Sequence, residues 1–369
     1  YAITVAALSS SSLPFLKTLV SCEYPTPPDF DRSEDWSGSS NCNDTDIVLD
    51  DATVAKGFAQ GCDLVLQCLA LPVLGAVSDA FGRRRAVGVA IGGLMVSMGF
   101  FHLAARSASY PLFFIAFVAQ GATGSMASTV NAVIVDTVDS DAIRGGILGV
   151  YGAMALLALV CTIIAVVVFL LDTNTTDYQL FSLVLGCVAC LTALLAACVF
   201  PETAPHPRAG WHRNKLNPFR TYRILGTTPR LQSITVVFML FGFAASSVTV
   251  IPSYSMEVFD YTNSSSTYVY MVAILTLALS SAASSCVVPK LGASKALRLA
   301  LGNATVGFVV LIFSSVHESM LYVGTCVAAS GGYATAAALT LVAREVQPNE
   351  QAGLQAATSS VVLLASGLG

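Results

Sequence analysis

The sequence predicts an all-α membrane protein, and three observations carry that prediction. Its 369 residues are 55% hydrophobic and only 11% charged, with a mean hydropathy of +0.72, far from the composition of a soluble domain. Apolar runs of about 20 residues, enough to cross roughly 30 Å of hydrocarbon as an α-helix, recur along the whole chain. The loops between them alternate between basic and acidic. We therefore expect a multi-pass protein in a lipid bilayer, without a nucleic-acid partner.

Eleven apolar runs are long enough to be membrane spans. They cover residues 1–20, 52–77, 86–105, 110–135, 145–171, 178–200, 231–257, 267–289, 296–315, 319–343 and 351–369. Because the first and last residues of the sequence both lie inside apolar runs, we expect a twelfth span beyond the ends of this sequence.

Basic residues mark one side of the predicted membrane. Arg83, Arg84, Arg85, Arg144 and the basic residues between 208 and 230 fall in alternate loops, and short loops rich in Lys and Arg stay in the cytoplasm. The opposite loops include the long acidic loop 21–51. We place that loop on the extracellular or lumenal side of a plasma membrane or endomembrane.

The outer loops carry signs of an oxidising compartment. Cys22 and Cys42 lie in the long outer loop, where a disulfide is chemically allowed, and we expect them to pair. Glycosylation sequons begin at Asn43, Asn174 and Asn263, each in a loop that the charge pattern places outside. The remaining cysteines lie in apolar runs and behave as small hydrophobes.

A polar, basic and proline-containing stretch divides the chain. Residues 201–230 form a predicted cytoplasmic linker, in which 217–225 is amphipathic and lies partly on the membrane surface. The linker separates an N-terminal bundle of six spans, 1–200, from a C-terminal bundle, 231–369, in which five spans are visible.

The loop between the second and third runs is the most informative segment. It reads Gly-Ala-Val-Ser-Asp-Ala-Phe-Gly-Arg-Arg-Arg from residue 75 to residue 85. Glycines allow a tight turn between helices, a carboxylate can face a helix N-terminus, and arginines can pair with a carboxylate on a neighbouring helix. This loop resembles the Gly-x-x-x-Asp-Arg-x-Gly-Arg-Arg/Lys motif of the major facilitator superfamily of transporters. The matching residues are Gly75, Asp79, Gly82, Arg83 and Arg84, while Ala80 replaces the first arginine of the motif.

Further elements extend the resemblance over most of the chain. They are Asp136-x(7)-Arg144-Gly145-x(3)-Gly149, Pro201-Glu202-Thr203 and residues 347–356. Together they look closest to the branch of tetracycline-type exporters and hippocampus-abundant-transcript proteins.

The resemblance implies two pseudo-symmetric six-helix bundles that move a small organic solute by alternating access. It also implies a cytoplasmic gate in which Asp79, Arg83 and Arg84 form a charge network with Asp136 and Arg144. Retention of topology by positive charge is the plainer alternative, and the two are compatible.

The sequence departs from the family at two positions linked to proton coupling. Phe117 stands where the family's fourth span often carries an arginine, three residues before Gln120. No proline occurs from Gly149 to Val168, so the Gly-Pro pair of antiporters is absent. These departures keep a second hypothesis open, in which the chain no longer transports and serves as a receptor or as a subunit of a larger membrane assembly with protein partners.

One polar stripe inside the membrane is a candidate solute or proton site. Its residues recur at spacings of four, three and four, which places them on one helix face: Lys56, Gln60, Asp63 and Gln67. Charged groups at this depth usually face a cavity or each other. We predict that Asp63, with Gln60, Gln67 and Gln120, lines a central cavity and binds solute or a coupling proton. The alternative is a structural contact of Asp63 to Lys17 or to the backbone of a neighbouring helix.

The sequence gives little support to an enzyme. It contains no phosphate-binding glycine loop, no paired nucleophile and base, and no metal-ligand cluster among its four histidines. We therefore expect no cofactor, no metal and no ATP hydrolysis by this chain.

Overall fold

The computed structural model describes residues 45–107, 109–124, 126–170, 218–261, 263–346 and 350–368, with short pieces between 183 and 203. Within these ranges the chain is helical and forms no strand. In chain order the helices are α1 (Thr45–Phe81), α2 (Arg83–Ser107), α3 (Tyr110–Thr123), α4 (Met126–Thr137), α5 (Asp141–Leu170), α6 (Pro218–Leu225), α7 (Pro229–Phe259), α8 (Asn263–Leu291), α9 (Ala293–Ile312), α10 (Glu318–Ala329), α11 (Ala334–Ala343) and α12 (Gln351–Leu368).

The helices confirm the predicted class of fold. In the part of the chain that was searched, seven helical stretches are long and apolar enough to cross a membrane. The predicted run 178–200 coincides with helical residues between 183 and 198. The predicted run 1–20 lies outside the described residues.

Two predicted spans are each broken into two helices, which the hydropathy pattern did not predict. Run 110–135 is interrupted at Gly124, whose φ of 70° is a left-handed conformation suited to glycine. Run 319–343 is interrupted by a turn containing Gly332, whose amide donates to the Ser280 hydroxyl (3.1 Å). A Cβ atom at Gly332 would collide with that hydroxyl. Both breaks therefore depend on glycine backbone rather than on a loss of hydrophobicity.

Large apolar side chains cover the outer faces of the helices. On α1, Phe58, Val65 and Leu69 are 62%, 56% and 49% exposed. Their spacings of seven and four residues place them on one face. An apolar surface of this kind would be unstable in water and is expected where lipid surrounds the protein.

Helices α5 and α8 pack closely through small residues. Gly145 and Gly149 on α5 face serines on α8, and their carbonyls accept bonds from Ser284 (3.2 Å) and Ser281 (3.0 Å). A Cβ atom at Gly149 would overlap the Ser284 side chain. Small residues let membrane helices approach until side-chain hydroxyls reach the neighbouring backbone. We call this contact the α5–α8 seam.

Helices α1 and α12 form a second contact of the same kind, here called the α1–α12 seam. A Cβ atom at Gly75 would lie 2.7 Å from the Ala352 carbonyl oxygen and 2.7 Å from the Ala356 Cβ. Further along α1, the Cys68 thiol donates to the Ser360 carbonyl (3.4 Å). The prediction that Gly75 helps to form a turn is wrong, because Gly75 lies inside α1 and allows α12 to pack against it.

We predict that Gly149→Ala destabilises the protein. The added methyl has no room against Ser284, and overpacking of this kind costs about 1–3 kcal/mol. The thermal unfolding midpoint in detergent micelles measures the effect. Gly92→Ala is the matched control, because a Cβ there meets nothing within 4 Å. The close-packed description of the α5–α8 seam is wrong if the two variants melt at the same temperature.

Candidate functional site

The tight turn of the glycine-arginine loop is made by Gly82 alone. This residue joins α1 to α2 with a φ of 106°, a conformation that side chains disfavour. A Cβ at Gly82 would also collide with the Glu202 carboxylate. The glycine is therefore required both by the backbone conformation and by the close approach of an acidic side chain.

Arg83 lies at the centre of a charge cluster at this end of the molecule. Its side chain is only 1% exposed. The guanidinium binds Asp79 through Nη1 (2.5 Å) and Asp136 through Nε (2.9 Å), and Nη1 also donates to the Ser78 hydroxyl (3.1 Å). One planar group thus joins the end of α1 to the end of α4, which a fork of fixed N–H donors can do and a point charge cannot.

Asp79 connects this cluster to the second half of the chain. Its carboxylate accepts hydrogen bonds from the backbone amides of Ala352 (3.3 Å) and Gly353 (2.8 Å). These amides belong to the first turn of α12, where N–H groups lack partners within the helix and the helix dipole favours a negative charge. Asp79 therefore caps α12 while it stays paired with Arg83.

Glu202 caps the start of α2, as Asp79 caps the start of α12. Its two carboxylate oxygens accept from the backbone amides of Arg83 (2.9 Å) and Arg84 (3.4 Å). The Pro-Glu-Thr element was recognised in the sequence, but nothing there indicated which groups the glutamate binds. The structure gives Glu202 the role of an N-terminal cap, and it places the exposed Arg84 in the cluster through its backbone.

Arg144 acts electrostatically on Asp136, its expected partner in the charge network. Its direct bonds are to Asp141 (2.8 Å) and to the carbonyl of Val138 (2.7 Å). Asp141 also binds Arg344 (2.6 Å), which follows α11 in the second half of the chain. Nothing in the sequence indicated that Arg344 and Asp141 would pair. Asp141 thus supplies a second ionic contact between the two halves.

The polar stripe on α1 lies well away from this cluster. Asp63 and Asp79 are 16 residues apart on one helix, about 24 Å at 1.5 Å per residue. Asp63 is 7% exposed, and the Gln67 side-chain amide donates to both of its carboxylate oxygens (3.0 and 2.9 Å). Gln60 is half-buried one turn away. Lys56 lies on α1, but its side chain and Lys17 are outside the described residues.

Asp63 faces α3 at a place where the two helices nearly touch. A Cβ at Gly121 would lie 2.7 Å from the Asp63 carbonyl oxygen and 3.0 Å from its carboxylate. The neighbouring Gln120 is 4% exposed, and its side-chain oxygen has no partner among the described residues. The structure therefore places an acid and an amide at one helix crossing, where each has unused capacity to accept hydrogen bonds.

Phe117 belongs to an aromatic cluster between α2 and α3. Its ring lies 5.1 Å from that of Phe113, which in turn lies 6.2 Å from Phe101. All three are buried. The place where an arginine was expected is therefore filled by packed rings, which can carry no proton.

Other predicted sites fall outside the described residues. These are Cys22 and Cys42 of the expected disulfide and the sequon residues Asn43 and Asn174. Asn263 begins α8, but its side chain is not among those described. Among the residues that were searched, no group of three His, Cys, Asp or Glu side chains could hold a metal ion.

The helices, the lipid-facing surfaces and the capped turn define a multi-pass helical membrane transporter fold. Comparison with known proteins names it: residues 50–369 match the Major Facilitator Superfamily, and the chain belongs to that family of membrane transporters.

Solved transporters share its fold over nearly their whole lengths. The human organic anion transporter MFSD10 (TETRAN) is 20% identical, with a TM-score of 0.73 over 100% of this chain and 90% of that one. The transporter FucP in its outward conformation is 11% identical, with a TM-score of 0.66 over 100% and 88%. A bacterial homologue of the iron transporter ferroportin, in its outward-facing state, is 10% identical, with a TM-score of 0.60 over 99% and 89%. At these identities the likeness shows the fold alone.

We predict that Arg83→Lys lowers the stability of the protein. A single ammonium cannot reach Asp79 and Asp136 together, so one buried carboxylate loses its charged donor, at a cost of about 1–3 kcal/mol. The thermal unfolding midpoint in detergent reports the loss. Arg85→Lys is the control, since Arg85 is exposed and such changes usually stay within about 0.5 kcal/mol. Equal midpoints for the two variants would contradict the two-carboxylate role of Arg83.

Proposed function

We propose that this protein is a secondary transporter that moves a small organic solute across a membrane by alternating access. In this proposal residues 1–200 and 231–369 are the two moving bundles, and 201–230 is the linker between them. Beside family membership, the proposal rests on the contacts between the halves. The α5–α8 seam and the α1–α12 seam consist of small residues and a few polar bonds, so they can separate without unfolding either half.

The end of the molecule that carries Asp79 and Arg83 is the cytoplasmic end in this proposal. This orientation is supported by the basic residues at that end, because short cytoplasmic loops are rich in Lys and Arg. The acidic loop 21–51 is then extracellular or lumenal, in a plasma membrane or an endomembrane.

The cytoplasmic gate of this proposal consists of two contacts between the halves. One is the cap that Asp79 places on α12, and the other is the Asp141–Arg344 ion pair. Both would break if the cavity opened toward the cytoplasm. By contrast, the bonds from Arg83 to Asp79 and Asp136 lie within one half and would survive that motion.

Asp63 is the proposed binding group for solute or for a coupling proton. Its carboxylate receives two bonds from an amide, and no cation among the described residues contacts it. A carboxylate buried at membrane depth is costly unless it is protonated or meets a positive charge. A proton or a cationic group of the solute would serve, and either would make transport depend on the charge of Asp63.

A second candidate function rests on the aromatic cluster around Phe117. Because this site cannot move a proton, the chain could have kept the fold while losing coupled transport. It would then act as a receptor or as a structural subunit of a membrane assembly. Stable co-purification with partner proteins, without flux of any solute, favours this function.

We predict that Asp63→Asn abolishes or strongly reduces transport while the protein remains folded. Asparagine keeps an oxygen that accepts from Gln67 but cannot carry the charge. The measurement is uptake into proteoliposomes of a panel of small organic anions, cations and neutral solutes, with and without a pH gradient. Asp139→Asn is the control, because it makes the same change on an exposed residue. Unchanged flux in Asp63→Asn would remove Asp63 from the mechanism, and no flux with any solute in the unmodified protein would favour the second candidate.

We predict that Asp79→Ala shifts the protein toward a state open at the cytoplasmic end, since α12 loses its cap. Nitroxide labels at Arg85→Cys and Lys295→Cys, with other cysteines replaced by alanine, report the distance between the halves by pulsed electron resonance. Both positions are exposed, and they are the third residues of α2 in the first half and of α9 in the second half. Longer distances in Asp79→Ala are expected, whereas the same double label with Asp139→Asn should match the unmodified protein. An unchanged distribution would refute the gate.

A further inference from the structure

The linker helix α6 reaches into the α1–α12 seam with a tyrosine. The Tyr222 hydroxyl donates a 2.8 Å hydrogen bond to the backbone carbonyl of Cys68, in the interior of α1. The Ser360 hydroxyl of α12 lies beside the same phenol. The Cys68 thiol donates to the Ser360 carbonyl. Residues of α1, α6 and α12 thus meet at one point within the seam.

The Cys68 carbonyl is available to Tyr222 because of a proline. In an α-helix this carbonyl would accept from the amide four residues later, at position 72. Pro72 lies inside α1 and has no N–H to give. A carbonyl left without a donor in a bilayer is costly. Tyr222 supplies the missing hydrogen bond from a different part of the chain.

Two more residues of α6 anchor it beside the seam. Thr221 is buried, and its methyl lies 3.5 Å from where a Cβ of Gly353 would stand. The Gly353 amide is the one that Asp79 caps. Leu225 is buried in an apolar cluster with Leu354 of α12. The helix therefore contacts the gate and the seam at once, while Arg223 points outward and is exposed.

We propose that α6 is a built-in latch, in which the Tyr222 hydroxyl seated on the Cys68 carbonyl holds the α1–α12 seam closed. The latch must withdraw in each transport cycle before the cytoplasmic end opens. This inference rests on the proposed alternating-access function. Burial raises the pKa of Tyr222, so its hydroxyl keeps the proton that it donates. When the tyrosine leaves, the Cys68 carbonyl loses its donor, which opposes opening.

The latch is tested by Tyr222→Phe, which removes the hydroxyl and keeps the ring. We expect the ratio of open to closed protein to rise about two- to tenfold, the effect of losing one hydrogen bond. The readout is the distance between the labels at Arg85→Cys and Lys295→Cys. Tyr254→Phe is the matched control, because its hydroxyl bonds Ser314 (3.0 Å), within the second half of the chain.

A second variant separates a latch from a merely structural tyrosine. Pro72→Ala restores an amide that can bond the Cys68 carbonyl within α1. In that background, Tyr222→Phe should change the open-to-closed ratio by less than about twofold, because the carbonyl no longer needs an outside donor. If Tyr222→Phe raises the open-to-closed ratio equally with and without Pro72→Ala, the proposed dependence of the latch on Pro72 is wrong.

The outcomes also distinguish the latch from the transport proposal. If Asp79→Ala opens the protein and Tyr222→Phe does not, the latch is wrong and alternating access stands. If neither variant changes the distances, the gate fails along with the latch. A lower unfolding midpoint for Tyr222→Phe with unchanged distances would show that the tyrosine only supports the fold.

Discussion

A backbone polar group that is buried away from water needs a partner in the protein, and the contact between the two halves of this protein depends on that constraint. Asp79 reaches the free amides of Ala352 and Gly353 at the start of α12. Ser281 and Ser284 of α8 reach carbonyls of α5. In both seams, side chains of one half bind the backbone of the other. Glycine and other small residues are needed at these places, because a side chain binds a neighbouring backbone only when the helices approach closely.

Bonds of this kind suit a contact that opens and closes. A carboxylate and a helix N-terminus can each be hydrated when they separate at a membrane surface, so the net difference between bonded and separated states is about 1 kcal/mol per bond. Differences of that size would keep both states of the proposed cycle populated. The Arg83 cluster is different, because its guanidinium is 1% exposed and paired with two carboxylates of its own half. Leaving one of these buried charges without its partner would cost about 3–5 kcal/mol, so the cluster stays intact in the proposed motion.

Hydropathy was enough to predict the membrane-spanning runs, apart from the breaks at Gly124 and near Gly332. The loop motifs carried the resemblance to the family, because both kinds of signal depend on side-chain types and their spacing. The sequence could not predict which side chains bind the backbone amides and carbonyls. Every residue offers the same amide and carbonyl, so nothing in the sequence linked Glu202 to the start of α2 or Tyr222 to Cys68. The role of Gly75 was predicted wrongly for a related reason. The sequence does not show whether a glycine forms a turn or allows a neighbouring helix to pack closely. Pro72 was the one available signal, as it guarantees an unpaired carbonyl at position 68 without saying what fills it.

Pro72 lies between the two candidate regions of α1. Asp63 lies on one side of the proline and Asp79 on the other, along a single helix. A helix transmits displacement as a rod only where its hydrogen-bond ladder is continuous, and a proline is the usual place for it to bend. Tyr222 is seated on the carbonyl that Pro72 leaves free, and the Cys68 thiol bonds the Ser360 carbonyl of α12 at the same point. In the proposed cycle, withdrawal of Tyr222 would let the two segments of α1 change their mutual angle, so solute binding near Asp63 and release of the Asp79 cap would not need to occur together. We infer that the linker helix sets the order of these two proposed events, because it contacts α1 at Cys68, between Asp63 and Asp79.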